Sequence, residues 1–308
     1  MTRVVVALGG NAMTSPEGRA RPADQIEAVG RASKAIAEVV ATGAEVVLSH
    51  GNGPQVGNLL VKNEMAASVV PPVPLDWCVA QTQGTIGAML IDAVEHCLAG
   101  RGIARPVAAL VTRTLVDPED PGFTTPTKPI GRFLTEAEAR VLLDHGQIWH
   151  DRGARGWRRM VASPEPLEVL DAPAAVALLE AGFIVVAAGG GGIPVVRTKD
   201  GSVVGVEAVI DKDLTAALLA RAVDASVLVI ATDVEAAIVH FGTDRARPLG
   251  RVAAAELRAY EAEGHFASGS MGPKVDAACR FVEAGGERAV ITSLDRIADP
   301  DTGTVVTA

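Results

Sequence analysis

Aromatic residues make up only 3% of this 308-residue chain, although 48% of it is hydrophobic. The core must therefore be built from Val, Ala, Leu and Ile, the set that buried parallel strands and their covering helices use. Cysteine is equally sparse. Cys78, Cys97 and Cys279 are odd in number, far apart and without a Cys-x-x-Cys pair, which reads as reduced thiols rather than a disulfide framework or zinc site. No apolar run approaches the roughly 20 residues of a membrane span, and the N-terminus enters a strand without a signal-peptide pattern. The expectation is a soluble cytoplasmic protein with no membrane partner. Basic charge is in deficit too: the formal net charge is −9, so nucleic acid is not the main partner, because phosphate backbones demand a basic footprint. Any anionic ligand has to be held by a local constellation.

Lysine is the scarcest charge. Of 28 basic residues only six are Lys, at positions 34, 62, 128, 199, 212 and 274. Arginine serves as the general surface cation, so the retained lysines stand out. Lysine is a compact point charge suited to a moving phosphoryl group, whereas arginine is a planar fork.

The stretch Val209 to Thr215 carries a β-branched run into Lys212 between two aspartates, and the apolar repeat of residues 213–222 predicts a buried helix with Asp213 as its N-cap. Lys212 then sits at a helix entrance. It is either a solvated lysine beside a capped helix or a cation placed where a helix N-terminus attracts anions.

The remaining pattern alternates strands and helices. Arg3 to Leu8 predicts a strand ending in Gly9-Gly10-Asn11, then a helix from Pro22 to Thr42. Glu45 to Ser49 predicts a second strand, ending in His50-Gly51-Asn52-Gly53-Pro54 with Pro54 first in the next helix. Two neighbouring strand-glycine-helix turns present free N–H groups to a small anion, though each alone is ordinary in α/β folds. His50 reads as a hydrogen-bonded spacer. Cys78 to Leu98 predicts a long helix in which Gly84 and Gly87 permit close packing, and Pro106 to Thr112 a third strand.

From Asp117 to Pro129 the texture is rich in Pro, Asp and Thr, and it contains Lys128. Thr135 to Glu138 is a capping box that opens a helix to about Asp144. Asp151 to Met160 is a basic island, read as a solvated face. Residues of about 114–168 together read as an inserted flap. Helix 174–181 and strand 183–188 lead into Gly189–Gly192, but these glycines lack the spacing and the following helix of a dinucleotide site. A hairpin over 195–205 turning at Asp200-Gly201 follows. Strand 226–231 ends at Thr232-Asp233, Val252 to Glu263 is amphipathic, Lys274 to Val282 predicts a helix with Pro273 at its first position, and Arg288 to Thr292 is the closing strand.

No Ser/His/Asp order, His/Cys metal spacing or paired carboxylic acids emerge, which leaves anion handling and phosphoryl transfer. Residues 7–12 (ALGGNA), 49–57 (SHGNGPQVG), 126–131 (PTKPIG), 156–159 (GWRR), 209–213 (VIDKD) and 269–274 (GSMGPK) resemble, in order, the signature of the carbamate kinases within the amino-acid kinase superfamily. The resemblance runs from residue 3 to about 293.

It implies a three-layer α/β/α sandwich around a mainly parallel sheet. One domain would span 1–308, with a carbamate lobe of about 1–195, a protruding subdomain of about 114–168 and a nucleotide lobe of about 196–308. The implied reaction is ATP plus carbamate giving ADP plus carbamoyl phosphate, reversible and Mg²⁺-dependent, in a cytoplasmic homodimer. By resemblance Gly9, Gly10, Asn11, Gly51, Asn52 and Gly53 hold carbamate and the transferring group. Lys212 and Lys274 contact the nucleotide phosphates with Asp213 orienting them, and Lys128 arrives from the flap. Thr232, Asp233, Met271 and Gly272 join Lys212 and Lys274 as nucleotide-binding positions, and no protein metal ligand is implied. The chain departs from the pattern at Ile238, where tyrosine is frequent, at Arg132, where proline is usual, and at Trp77, which is larger than the residue expected beside Cys78. The alternatives are a superfamily kinase with another acyl or phosphate acceptor, and a non-catalytic nucleotide-binding regulator.

Overall fold

The computed structural model describes residues 2–14, 21–267, 270–299 and 302–308. Its first half runs β1 (Arg3–Leu8), α1 (Pro22–Ala41), β2 (Glu45–His50), α2 (Gly53–Ala66), α3 (Leu75–Ala99), β3 (Val107–Ala109), β4 (Arg113–Val116), α4 (Pro121–Thr124), β5 (Lys128–Leu134), α5 (Glu136–Asp144), β6 (Trp149–Asp151), β7 (Trp157–Val161) and β8 (Pro166–Val169). There follow α6 (Ala172–Glu180), β9 (Ile184–Val186), β10 (Ile193–Arg197), β11 (Val203–Gly205), α7 (Lys212–Ala222), β12 (Val227–Thr232), β13 (Ile238–Val239), β14 (Arg247–Pro248), β15 (Arg251–Ala253), α8 (Ala254–Ala262), α9 (Met271–Glu283), β16 (Arg288–Ser293) and β17 (Thr304–Thr307).

An eight-stranded sheet in the order β15-β17-β16-β12-β1-β2-β9-β3 forms the centre. Side chains alternate across each strand, so every central strand feeds both faces. Val4, Val6 and Leu8 of β1 pack with Ile36 of α1 and Ile86 and Leu90 of α3. Val5 and Ala7 face the other way, toward α6, α7, α8 and α9 through Leu179, Leu219, Leu257 and Phe281. Helices thus cover both faces, and the result is the expected three-layer α/β/α sandwich. Aliphatic residues supply nearly all of both cores, as the lack of aromatics requires.

Several expected elements shift. The strand at 106–112 is reduced to Val107–Ala109. Arg288 does not begin the last strand: β17 pairs antiparallel with β16, and β15 extends the edge beyond it. Gly87 faces Ala109 so closely that a Cβ there would stand 2.7 Å from that residue's Cβ, whereas Gly84 has nothing near it, so the close-packing role belongs to Gly87 alone. The capping box is as expected, with Thr135 and Glu138 bonded reciprocally at the start of α5.

Three further sheets stand beside the main one, the smallest being the antiparallel pair β13–β14. β5, β7 and β6 form a three-stranded antiparallel sheet, and β4 and β8 join the hairpin β10–β11 in a four-stranded one. The stem of the 114–168 segment therefore shares a sheet with residues 193–205, and a boundary at 195 falls inside β10. No helix among the described residues is long and apolar enough to cross a membrane.

Candidate active site

The carboxyl ends of β1 and β2 lie side by side, and the two glycine turns that leave them touch. Gly51 N donates to Leu8 O at 3.0 Å, and a Cβ on Gly51 would lie 3.2 Å from Gly10 Cα and 3.4 Å from Lys212 Cδ. Only glycine leaves room for both turns and for the lysine stem beside them. Gly53 opens α2 and Pro54 stands second in the helix rather than first. Asn52 is buried and donates through Nδ2 to Thr82 Oγ1 at 2.8 Å, so its amide is aimed by α3.

Beneath these turns lies Gly189–Gly192, to which the sequence reading gave no positive role. A Cβ at Gly189 would collide with the His50 ring, at Gly190 with the Asn52 amide and at Gly192 with Thr114, and Gly190, Gly191 and Gly192 all have positive φ. The four glycines form a thin floor that lets β2 and α7 approach one another. His50 is a spacer, as expected: Nδ1 contacts Gly51 O at 3.1 Å, and burial pushes its pKa down to about 4, against a small upward pull from that bond and with the Lys212 charge adding to the fall. It is neutral at pH 7.

The lysine segment differs from expectation in one instructive way. Asp211, not Asp213, is the N-cap of α7, its carboxylate accepting from Asp213 N at 2.9 Å and Leu214 N at 3.3 Å. Backbone torsions at Asp211 are extended, so the helix starts two residues earlier than the apolar repeat suggests. Asp213 is thereby released for another task. Only 3% exposed, it accepts from Lys212 Nζ at 2.5 Å and from Lys274 Nζ at 3.1 Å. Burial alone raises its pKa, but the two ammonium groups and their hydrogen bonds more than offset this and hold the carboxyl below its usual value. Lys274 also donates to Ser270 O at 3.3 Å. Its helix, α9, begins at Met271, which places Pro273 third rather than first, where its missing N–H is still one the helix does not use.

Two clefts open on this assembly. One, of about 720 Å³, is lined by Gly10, Gly51, Asn52, Gly53, Lys128 and Lys212, with Asp211, Arg132, Arg158 and Ser163. The other, of about 390 Å³, is lined by Gly9, Gly10, Thr232, Asp233, Lys274 and Asp295. They meet at Gly10, and the Lys212–Asp213–Lys274 bridge spans them. The flap lysine thus shares a cleft with the glycine turns across a large sequence separation.

Other expected positions fall differently. Met271 packs against the core, and Gly272 is buried with its Cβ position 3.1 Å from Ala267 O, so both shape the start of α9 and line neither cleft. Gly9 lines the second cleft, and a side chain there would meet Ala231 O at 2.9 Å. Asn11 lies in the short turn Gly10–Met13 with its side chain outside the described residues, and Gly269 lies outside them altogether. The basic island is divided: residues 151–155 are exposed, as a solvated face would be, whereas Arg159 is 3% exposed and pairs with Glu207 at 2.6 Å, and Arg158 lines the larger cleft with its guanidinium 4.8 Å from the Phe133 ring centroid. Arg132, Ser163 and Asp295 carry no local signal that marks them for a site, whereas Arg158 lies in the 156–159 signature stretch. Among the described residues no group of three or more His, Cys, Asp or Glu forms a metal cage.

The arrangement offers cations, backbone N–H groups and two adjoining anion clefts, which is the equipment of phosphoryl transfer. The model of the amino acid kinase family matches residues 2–293. A carbamate kinase of Thermococcus kodakarensis is 49% identical over 300 residues, covering 96% of this chain and 95% of that protein, and carbamate kinase 1 of Enterococcus faecium is 44% identical over 99% of both. Among solved structures, the carbamate kinase of Giardia lamblia bound to AMP-PNP superimposes with a TM-score of 0.94 at 40% identity, covering 99% of this chain and 98% of that one. The chain therefore belongs to the amino acid kinase family, within its carbamate kinase branch, and is a phosphotransferase.

Proposed function

We propose that the protein moves a phosphoryl group reversibly between ATP and carbamate, giving ADP and carbamoyl phosphate, across the point where its two clefts meet. The observation that carries this reading is the Lys212–Asp213–Lys274 bridge. A buried carboxylate keeps two ammonium groups together until polyphosphate replaces it as their partner.

Carbamate occupies the larger cleft, against the backbone N–H groups of the Gly10 and Gly51–Gly53 turns. The nucleotide phosphates lie along the smaller one, beside Lys274 and Thr232. The carbamate oxygen is already anionic, so it attacks phosphorus without a general base. Lys212 stands at the junction and neutralises charge on the equatorial oxygens as the bond order shifts from the leaving to the attacking oxygen. Lys128 covers the acceptor side from the flap. Asp233 and Asp295 line the phosphate cleft and are the carboxylates that would meet a nucleotide-bound Mg²⁺, which would screen the phosphate charge there. The residues up to the β10 hairpin then form the acceptor lobe and those after it the nucleotide lobe. Assembly as a homodimer rests on the resemblance, and a cytoplasmic location on the widely spaced cysteines read as reduced thiols.

The test is ATP formation from ADP, Mg²⁺ and carbamoyl phosphate, with Lys212→Ala as the blank and acetyl phosphate as a second donor. Rapid ATP formation lost by about two to three orders of magnitude in a folded Lys212→Ala protein is the expected result. A folded wild-type protein that binds nucleotide and makes no ATP from carbamoyl phosphate would refute the acceptor assignment and point to another acid.

A further inference from the structure

Of the two lysines that line the larger cleft, Lys128 is the one not anchored by the Asp213 bridge, and its strand is held in an unusual way. β5 pairs with β7 from Lys128↔Val161 to Ile130↔Arg159, then the register breaks and resumes at Phe133↔Arg158. The two residues left over, Gly131 and Arg132, bulge out of the sheet. Gly131 adopts φ +66°, a left-handed conformation suited to glycine, and its Cβ position lies 3.5 Å from Glu64 Oε1 and 3.8 Å from Leu60 Cδ1. The bulge therefore rests directly on α2.

Glu64 belongs to the last turn of α2, where a carboxylate is opposed by the helix dipole. Its side chain is nevertheless only 6% exposed, and burial raises its pKa even though Arg132 pulls the other way. What chiefly compensates it is Arg132, whose Nε donates to Glu64 Oε2 at 2.7 Å while Nη2 lies 3.7 Å from Glu138 Oε1 on α5, and the Arg159 charge adds a weaker attraction. An unpaired carboxylate at this place is costly, so the pair ties the strand to the helix. The other end of α2 opens at the Gly51–Gly53 turn. One rigid helix thus has the acceptor turn at its N-terminus and the bulge of the Lys128 strand docked at its C-terminus.

We propose that the Arg132–Glu64 pair is a positioning latch that fixes Lys128 over the acceptor cleft. Neither residue takes part in chemistry. Both act by making the flap strand and the glycine turn parts of one frame, so that the Lys128 ammonium is in place before substrate arrives. The proposal rests on the role given above to Lys128.

The experiment compares wild type with Arg132→Met, Lys128→Met and the double variant in ATP formation from carbamoyl phosphate, together with hydrogen exchange of residues 126–134. Arg132→Met is expected to exchange those amides faster and to lose about 5- to 20-fold in kcat/KM for carbamoyl phosphate, with KM for ADP unchanged. Arg132→Lys is expected to recover part of the loss. In the Lys128→Met background the Arg132 substitution should have almost no further effect on kcat/KM, because the group it positions is gone. Equal losses in both backgrounds, a parallel rise in KM for ADP, or kcat/KM within twofold of wild type would each overturn the latch. Unchanged exchange of the strand would overturn the docking itself. A Lys128→Met protein as active as wild type would instead remove the role of Lys128, and the latch's kinetic role with it, while faster exchange in Arg132→Met would still show the docking.

Discussion

Asparagine at Asp213 keeps the shape of the side chain and removes the carboxylate that Lys212 and Lys274 share. At an effective dielectric of about 20, attractions at 2.5 and 3.1 Å are each roughly 5–7 kcal/mol before desolvation. Desolvation cancels much of this, and breaking a buried pair costs about 3–5 kcal/mol in practice. The lower figure applies here, because both lysine side chains are 15% exposed and have a route to water. With an unfolding entropy of about 2 cal/mol/K per residue over the whole chain, a loss of about 3 kcal/mol lowers Tm by about 5 °C. Phosphates reverse the comparison. Once ADP and Mg²⁺ fill the second cleft, the lysines have new anions, so the variant gains more from nucleotide than wild type does and the gap narrows. Calorimetric scans with and without Mg-ADP read both quantities. The pH dependence follows the same group: the carboxyl is held below its ordinary value, so its stabilisation is complete above pH about 4 and is lost only as pH falls through the lower folded value. A variant with wild-type Tm in the absence of nucleotide, or a gap that nucleotide leaves unchanged, would refute the idea that Asp213 holds the site together electrostatically.

Other expectations test the parts around the bridge. His50 has a folded pKa of about 4 against an ordinary 6.5, so the unfolded chain takes up a proton that the folded one refuses. Stability is then unaffected above pH 6.5 and falls by about 3 kcal/mol as pH drops to 4, and urea titrations should show His50→Asn losing much of that dependence. Gly190→Ala combines positive φ with a collision against the Asn52 amide. It should cost about 2–4 kcal/mol in denaturant titrations and raise KM for carbamoyl phosphate, and an alanine variant with unaltered KM would mean that Asn52 is not positioned from below.

The chain announces its chemistry where local patterns suffice. The strand-glycine-helix turns after β1 and β2, Lys212 and Lys274 at helix starts and the Thr135–Glu138 capping box are all legible, because each depends on neighbours within a few residues. The succession of buried strands and covering helices is legible for the same reason, through the spacing of aliphatic side chains, while their three-layer arrangement is what the resemblance implied. What the spacing leaves open is which neighbour takes which task. The sequence points to Asp213 as the cap, but the extended backbone at Asp211 gives that task to Asp211, freeing Asp213 to reach a lysine 61 residues away. Gly189–Gly192 carry no motif, yet they are required to be thin because His50, Asn52 and Thr114 press on them from other elements. Glu64 and Arg132 are ordinary surface letters until a two-residue bulge in β5 lands on α2. Residue types at short range determined that this protein handles phosphate, whereas the tertiary structure alone decided how its charges are paired, because pairing energy depends on distance and burial that adjacent residues do not set.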